Sequence, residues 1–129
     1  MYKRQLWGHV TTPLVEAKVY DTAIEQYLSK ITKGYDSLVS VKELKNFLLN
    51  QEGKLVNNTT DIPWPRTQDL EPLYEINHAI FLAKRSVYTE QKNRIGQKPL
   101  LYIMDEIHSK DIDWEEDFKI AEIMYKTLL

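Results

Sequence analysis

Three aspartates crowd one short stretch, HSKDIDWEEDF at residues 108–118, at positions 111, 113 and 117. If Lys110 to Asp113 is extended, side chains alternate, so Asp111 and Asp113 share a face while Ile112 turns toward the core. Two carboxylates on one face repel each other unless a cation or a donor lies between them. A hard divalent cation such as Mg²⁺, held by one or two carboxylates and by substrate phosphates, relieves that repulsion. The competing reading is structural. Asp113 followed by Glu116 has the spacing of a capping box, worth ~1 kcal/mol at a helix start. A cap accounts for Asp113 but not for Asp111, and spacing alone favours the cap plus a surface aspartate.

No other reactive residues form such a constellation. His9, His78 and His108 are scattered, without the spacing of a metal pair, and His9 and His78 fall in strand-like segments where a hydrogen-bonded structural histidine is expected. Ser40, Ser86 and Ser109 lack a G-x-S-x-G setting. The absence of cysteine excludes disulfides, thiolate metal sites and Cys nucleophiles, and a cytoplasmic address is expected. Seventeen Lys and Arg against nineteen Asp and Glu form no basic stripe, so no nucleic acid polymer is expected as a partner. No apolar run approaches the roughly 20 residues of a membrane span, so no membrane partner is expected either. The glycines at 8, 34, 53 and 96 make no phosphate-cradling loop, and no Lys/Arg cluster offers a triphosphate clamp.

The elements that must position these residues follow from periodicity. Tyr20, Ala23, Ile24, Tyr27, Leu28 and Ile31 recur at helical spacing and end at Gly34, which predicts a helix over 17–33. Trp114, Phe118, Ala121, Met124 and Leu128 predict a second, over 113–128. Strands are expected near 5–10, 36–41, 74–83 and 99–104, with a hairpin across Gln51-Glu52-Gly53. The proline-rich stretch 57–72 carries Trp64 and Arg66 and reads as an ordered loop. Strand, helix and strand joined by short turns make a βαβ unit. The expectation is a single α/β domain over 1–129 with a mostly parallel sheet and flanking helices.

Three blocks in this order, HVTTPL (9–14), RTQDLEPLYEINHAIFLAK (66–84) and SKDIDWEEDFKIAE (109–122), resemble the later part of the acylneuraminate cytidylyltransferases, the CMP-sialic acid synthetases. The likeness covers nearly the whole chain. It implies a Rossmann-like nucleotidyltransferase fold and transfer of CMP from CTP to a nonulosonic, sialic-type sugar acid, with release of pyrophosphate and with Mg²⁺ present. By the match, Asp111 and Asp113 are the metal ligands and catalytic carboxylates, and Asp113 is near enough to help activate the sugar hydroxyl. Asp117 and Ser109 support them. His9, Thr11, Arg66, Gln68, Asn77 and Phe81 are implied as substrate-binding residues, with the guanidinium of Arg66 suited to the sugar carboxylate. Residues 42–75 resemble the family's hairpin dimerisation arm, so a homodimer is implied.

The chain also departs from the family pattern. His9 stands for Gln, His78 for the Gly of N-G-A-I, Phe81 for Tyr and Val15 for Arg, which leaves sialic, legionaminic and pseudaminic acids equally open. The N-terminal nucleotide-binding half has no counterpart here. The expectation is an N-terminally truncated enzyme, inactive alone and with an exposed apolar sheet edge. The alternatives are a noncatalytic sugar-binding or dimerisation module, or a partner of a separate nucleotide-binding chain. A different nucleotide-sugar pyrophosphorylase is a weaker third.

Overall fold

The computed structural model describes residues 3–129. Helix α1 (Ala17–Lys30) buries Ala23 and Tyr27, one turn apart, on the stripe that its periodicity predicts. It tightens into a 3-10 turn over Ile31–Lys33 and stops at Gly34, whose φ of 90° is left-handed backbone open to glycine at no Cβ cost.

Four strands, β1 (Arg4–Trp7), β2 (Ser37–Leu44), β3 (Leu73–Lys84) and β4 (Pro99–Ile103), form one sheet in the order β1-β3-β2-β4. β2 and β4 are parallel, with Ser37 opposite Pro99 and Val41 opposite Ile103. β1 and β3 are antiparallel, with Arg4 opposite Lys84 and Trp7 opposite Phe81. The protein is therefore α/β with a mixed sheet, and the expected mostly parallel arrangement is corrected. The reason is β3, which lies between β1 and β2, so the strand-helix-strand order at the N-terminus does not yield neighbouring strands. β1 ends at Trp7 because His9 to Thr12 closes a turn in which both the N–H and the hydroxyl of Thr12 donate to the His9 carbonyl.

Ser37 to Val41 of β2 is buried at every position, as in a strand covered on both faces. Leu38 packs with Ala23, Tyr27, Ala79, Ile80, Leu82 and Met104, whereas Val39 and Val41 pack with Phe81 and Ile95. Ile95 follows a short helix α2 (Arg85–Thr89), in a loop fastened to the start of β2. Asp36 accepts the N–H groups of Gln97 at 2.8 Å and Lys98 at 3.1 Å and the Ser37 hydroxyl at 2.9 Å. Burial tends to raise the Asp36 pKa, but the hydrogen bonds from Ser37, Lys98, Gln97 and Gln91 outweigh it and hold the carboxyl below its ordinary value. Gly96 lies so close that a Cβ there would collide with the Asp36 carboxylate.

Helix α3 (Glu115–Leu128) departs from expectation in its packing. Of the predicted stripe only Ala121 is buried, while Trp114, Phe118 and Leu128 are exposed. Leu101 and Ile103 are exposed on β4, an edge strand, in line with the expected apolar edge. Among the described residues no helix is long and apolar enough to cross a membrane.

Glu43–Glu75 forms a second compact unit. The expected hairpin is present there as a single antiparallel bridge, Leu49 to Leu55, around a turn in which the Asn50 side chain accepts the N–H groups of Glu52 and Lys54. Asn57, fully buried, donates to the Asn46 carbonyl at 2.8 Å, and its own carbonyl accepts the Glu71 N–H at 2.8 Å. The proline-rich loop is thus ordered by the buried Asn57, through its side-chain amide and its backbone carbonyl, instead of a ladder.

Candidate functional site

The acidic segment is organised by backbone donors. The Ile112 N–H donates to the Thr11 carbonyl at 2.8 Å and to Asp111 Oδ1 at 3.0 Å, which fastens the aspartates to the turn after β1. Asp113 does not cap α3, contrary to the structural reading of its spacing. The N-cap is Trp114, and it is Asp117 Oδ2 that accepts the N–H groups of both Asp113 and Trp114, each at 3.1 Å. Asp117 Oδ1 takes the Lys110 ammonium at 2.7 Å. The bond from Lys110, then those from the two backbone N–H groups, hold the Asp117 carboxyl below its ordinary pKa. The cap slips by one residue because Asp117, three beyond Trp114, reaches back to two orphan amides and a lysine at once. Among the described residues the Asp113 side chain accepts no hydrogen bond, and it is exposed, while Asp111 is half-buried.

Asp111 and Asp113 can be tested as metal ligands on this arrangement. Among the described residues no group of three His, Cys, Asp or Glu side chains is placed to hold a metal ion. Two carboxylates without a third protein donor match Mg²⁺, which keeps waters and takes phosphate oxygens, and do not match a site closed by protein ligands alone.

A second cluster forms where β1 ends against β3. The Trp7 and His9 rings stack with centroids 5.8 Å apart, His9 lies 5.1 Å from His78, and Phe81 lies 6.1 Å from His9. The Arg94 guanidinium sits 4.1 Å above the Trp7 ring and 5.7 Å from the Phe81 ring, with Nη1 at 3.5 Å from His9 Nε2. Phe81, Tyr88, Lys92, Asn93, Arg94 and Ile95 line an open cleft of about 560 Å³ beside them.

The kink that makes this cluster lies in β3. His78 has φ of 63°, left-handed backbone in the middle of a strand. Asn77, 6% exposed, holds the kink: its Oδ1 accepts the Ala79 N–H at 3.1 Å and the Ser40 hydroxyl at 2.6 Å, and Ser40 Oγ accepts the Ile80 N–H at 2.7 Å. The hydroxyl and the amide replace ladder bonds that the kink removes. Buried and without a partner among the described residues are Asn77 Nδ2, His78 Nδ1 and the Tyr88 hydroxyl.

The predicted site residues divide accordingly. His9, Asn77 and Phe81 come together, Asn77 as the brace of the kink and Phe81, 3% exposed, as a buried wall. Thr11 joins the acidic segment through its carbonyl. Arg66 and Gln68 belong to the unit Glu43–Glu75, where Arg66 forms a two-pronged pair with Asp69, Nε to Oδ2 at 2.9 Å and Nη2 to Oδ1 at 3.3 Å. Trp7 and Arg94 were not among the predicted residues, and His78 was read only as a departure from the family pattern at the sugar pocket. The one signal available was the replacement of Gly by His at 78, which marks a position with special backbone geometry.

Comparison with known proteins gives several relatives. The chain is 31% identical over 114 residues to an N-acylneuraminate cytidylyltransferase of Streptococcus agalactiae serotype V, a match covering 84% of this chain and 27% of that protein. It is 32% identical over 81 residues to post-translational flagellin modification protein B of Campylobacter coli, covering 63% of this chain and 34% of that one. A CMP-N,N'-diacetyllegionaminic acid synthase of Campylobacter jejuni is 37% identical over 57 residues, 44% of this chain and 24% of its own length. The chain thus spans about a quarter to a third of the length of these curated relatives. No family model matches.

Proposed function

Because the chain is related to the acylneuraminate cytidylyltransferases over most of its length, we propose that it carries the acidic and sugar-binding side of a CMP-sugar synthetase site. The anomeric hydroxyl of a nonulosonic acid attacks the α-phosphorus of CTP; the bond from that phosphorus to the bridging oxygen breaks, and pyrophosphate leaves. The observation that carries the reading is Asp113, whose carboxylate is released from helix capping by Asp117 and stands beside Asp111 on a segment anchored to Thr11.

Asp111 and Asp113 would hold Mg²⁺, which when bound neutralises charge on the phosphate oxygens. Asp113 accepts the proton of the sugar hydroxyl as it attacks. His9 and Phe81 bound the sugar side, and Asn77 keeps the β3 kink in place. Arg66 and Gln68 are further sugar contacts by the family match. Phe47, Leu49, Ile62 and Trp64, all exposed in the second unit, suit burial against another subunit and support a homodimer. A Rossmann-like fold for the complete enzyme belongs to the same reading.

The test is to supply CTP, Mg²⁺ and a panel of sialic, legionaminic and pseudaminic acids and to measure pyrophosphate and CMP-sugar. Both this chain and a version extended by any in-frame upstream coding sequence are assayed. Product from either one is expected. Release of pyrophosphate with a different nucleotide, or sugar binding with no transfer in either version, would replace this reading with the pyrophosphorylase or the noncatalytic module.

A further inference from the structure

We infer that Arg94, and not Arg66, receives the carboxylate of the sugar acid, an inference that rests on the substrate class proposed above. The two guanidiniums differ in what already occupies them. The Nε and Nη2 side of Arg66 already meets the two oxygens of Asp69, so an incoming carboxylate there would compete with or crowd against a resident one. Arg94 has no carboxylate partner among the described residues. Its face is covered by Trp7 at 4.1 Å and Phe81 lies at 5.7 Å, a geometry that attracts the cation to the rings while its N–H donors, which all lie in the guanidinium plane, stay available at the edge. A carboxylate docks on such an edge through two parallel hydrogen bonds.

The surroundings fit an oxyanion. Lys92 and Asn93 line the same cleft and add a cation and an amide, and His9 Nε2 lies 3.5 Å from Arg94 Nη1. His78 Nδ1 is buried without a partner, in a ring 5.1 Å from that of His9. The cleft's volume, about 560 Å³, falls within the usual range for small-molecule sites. Arg94 is also held in place: the loop that carries it is fastened at Gln97 and Lys98 by Asp36 and at Gly96 by Ser37, so little ordering remains to be done on binding.

The experiment follows the Trp7 indole N–H by NMR, assigned with Trp7→Phe, in the wild type, Arg94→Gln and Arg66→Gln. The probes are sialic acid, its uncharged methyl ester, pyruvate and inorganic phosphate, with the rest of each spectrum reporting the fold. In the wild type and Arg66→Gln the acid should bind more tightly than the ester, by roughly tenfold or more; in Arg94→Gln it should fall to the ester's level. The inference is overturned if Arg94→Gln keeps the preference for the acid or if Arg66→Gln loses it. If sialic acid does not bind but pyruvate shifts Trp7 only when Arg94 is present, the sugar reading fails and the carboxylate seat stands. If sialic acid does not bind, a shift with phosphate and none with pyruvate reassigns Arg94 to the nucleotide, and no shift with either anion overturns the inference.

Discussion

The acidic segment before α3 and the aromatic, cationic cleft beside β3 both touch the turn His9 to Thr12, yet they are built on opposite plans. In the first, backbone amides do the holding: Ile112 bonds to Thr11, and Asp117 gathers the N–H groups of Asp113 and Trp114. The Asp113 carboxylate is left uncommitted to the helix start, and under the proposed function Asp111 and Asp113 are the reactive groups. In the second, side chains do the holding. Motif residues Asn77 and Phe81 are buried as brace and wall, and residues outside the matched blocks, Trp7 and Arg94, face the cleft or its rim. On the proposed function, a motif marks the reacting groups in one place and only the scaffold in another.

The largest effect expected from this contrast is at Asp111. In any preparation that forms CMP-sugar, Asp111→Asn should lower kcat by about 100-fold or more, with Tm unchanged, because the amide keeps the shape and loses the charge. Full turnover in that variant would make the acidic segment scaffold too, and the contrast would collapse. Asp117→Ala should act the other way round: it frees two helix amides and the Lys110 ammonium, so Tm should fall by roughly 4 °C, as on losing a cap, with activity reduced less than by Asp111→Asn. A variant that loses turnover at unchanged Tm would move Asp117 from support to chemistry.

Much of this plan was legible in the sequence where local periodicity or spacing sets the outcome. α1, its stop at Gly34, the hairpin and the four strands follow from alternation and turn chemistry within a few residues of their observed ends. Long-range facts were not legible. The antiparallel pairing of β1 with β3 joins Trp7 to Phe81, and no local pattern encodes which strand becomes the neighbour. The exposure of Phe118 and Leu128 is equally nonlocal, since periodicity defines a face but not what lies against it. At Asp113 the spacing pointed to the wrong cap by one position, because Glu116 and Asp117 compete for the same role and Lys110 decides it. The acidic site was readable because Asp111 and Asp113 are two residues apart; Arg94 was not, because its partners are 85 residues away in His9 and further still in Trp7.

A smaller effect separates strain from recognition at His78. A non-glycine residue in left-handed backbone costs about 1 kcal/mol, and the family pattern has Gly at this position. His78→Gly should raise stability by about 1 kcal/mol in urea unfolding while weakening ligand binding in the cleft. A loss of stability would mean that stacking against His9 and Phe81 outweighs the backbone strain. In that case the cleft would be held by its own rings as firmly as the acidic segment is held by amides.

The smallest effect is a pH dependence at the turn that leads into the acidic segment. His108 Nδ1 lies 2.7 Å from Asp105 Oδ2, and Nε2 lies 3.7 Å from Glu16 Oε1. The hydrogen bond to Asp105, with the charges of Asp105 and Glu16, raises the His108 pKa above 6.5. Burial pushes the Asp105 pKa up, but the bonds from the His108 N–H and ring outweigh it and carry it below 3.8. The His108 contribution is therefore complete below 6.5 and lost as pH rises through its raised value. The Asp105 contribution is complete above 3.8 and lost as pH falls through its lowered value. Stability from the pair should plateau between the two and decline on both sides, modestly, since the Asp105 side chain is 61% exposed and screened. His108→Gln should flatten the alkaline decline in Tm and soften the acid decline, which Asp36, Asp117 and the backbone N–H bonds that Asp105 keeps then carry. If the alkaline decline persists unchanged in that variant, the turn does not depend on the imidazolium, and the backbone bonds from Ser109 to Asp105 and from Lys110 to Ile107 carry it alone.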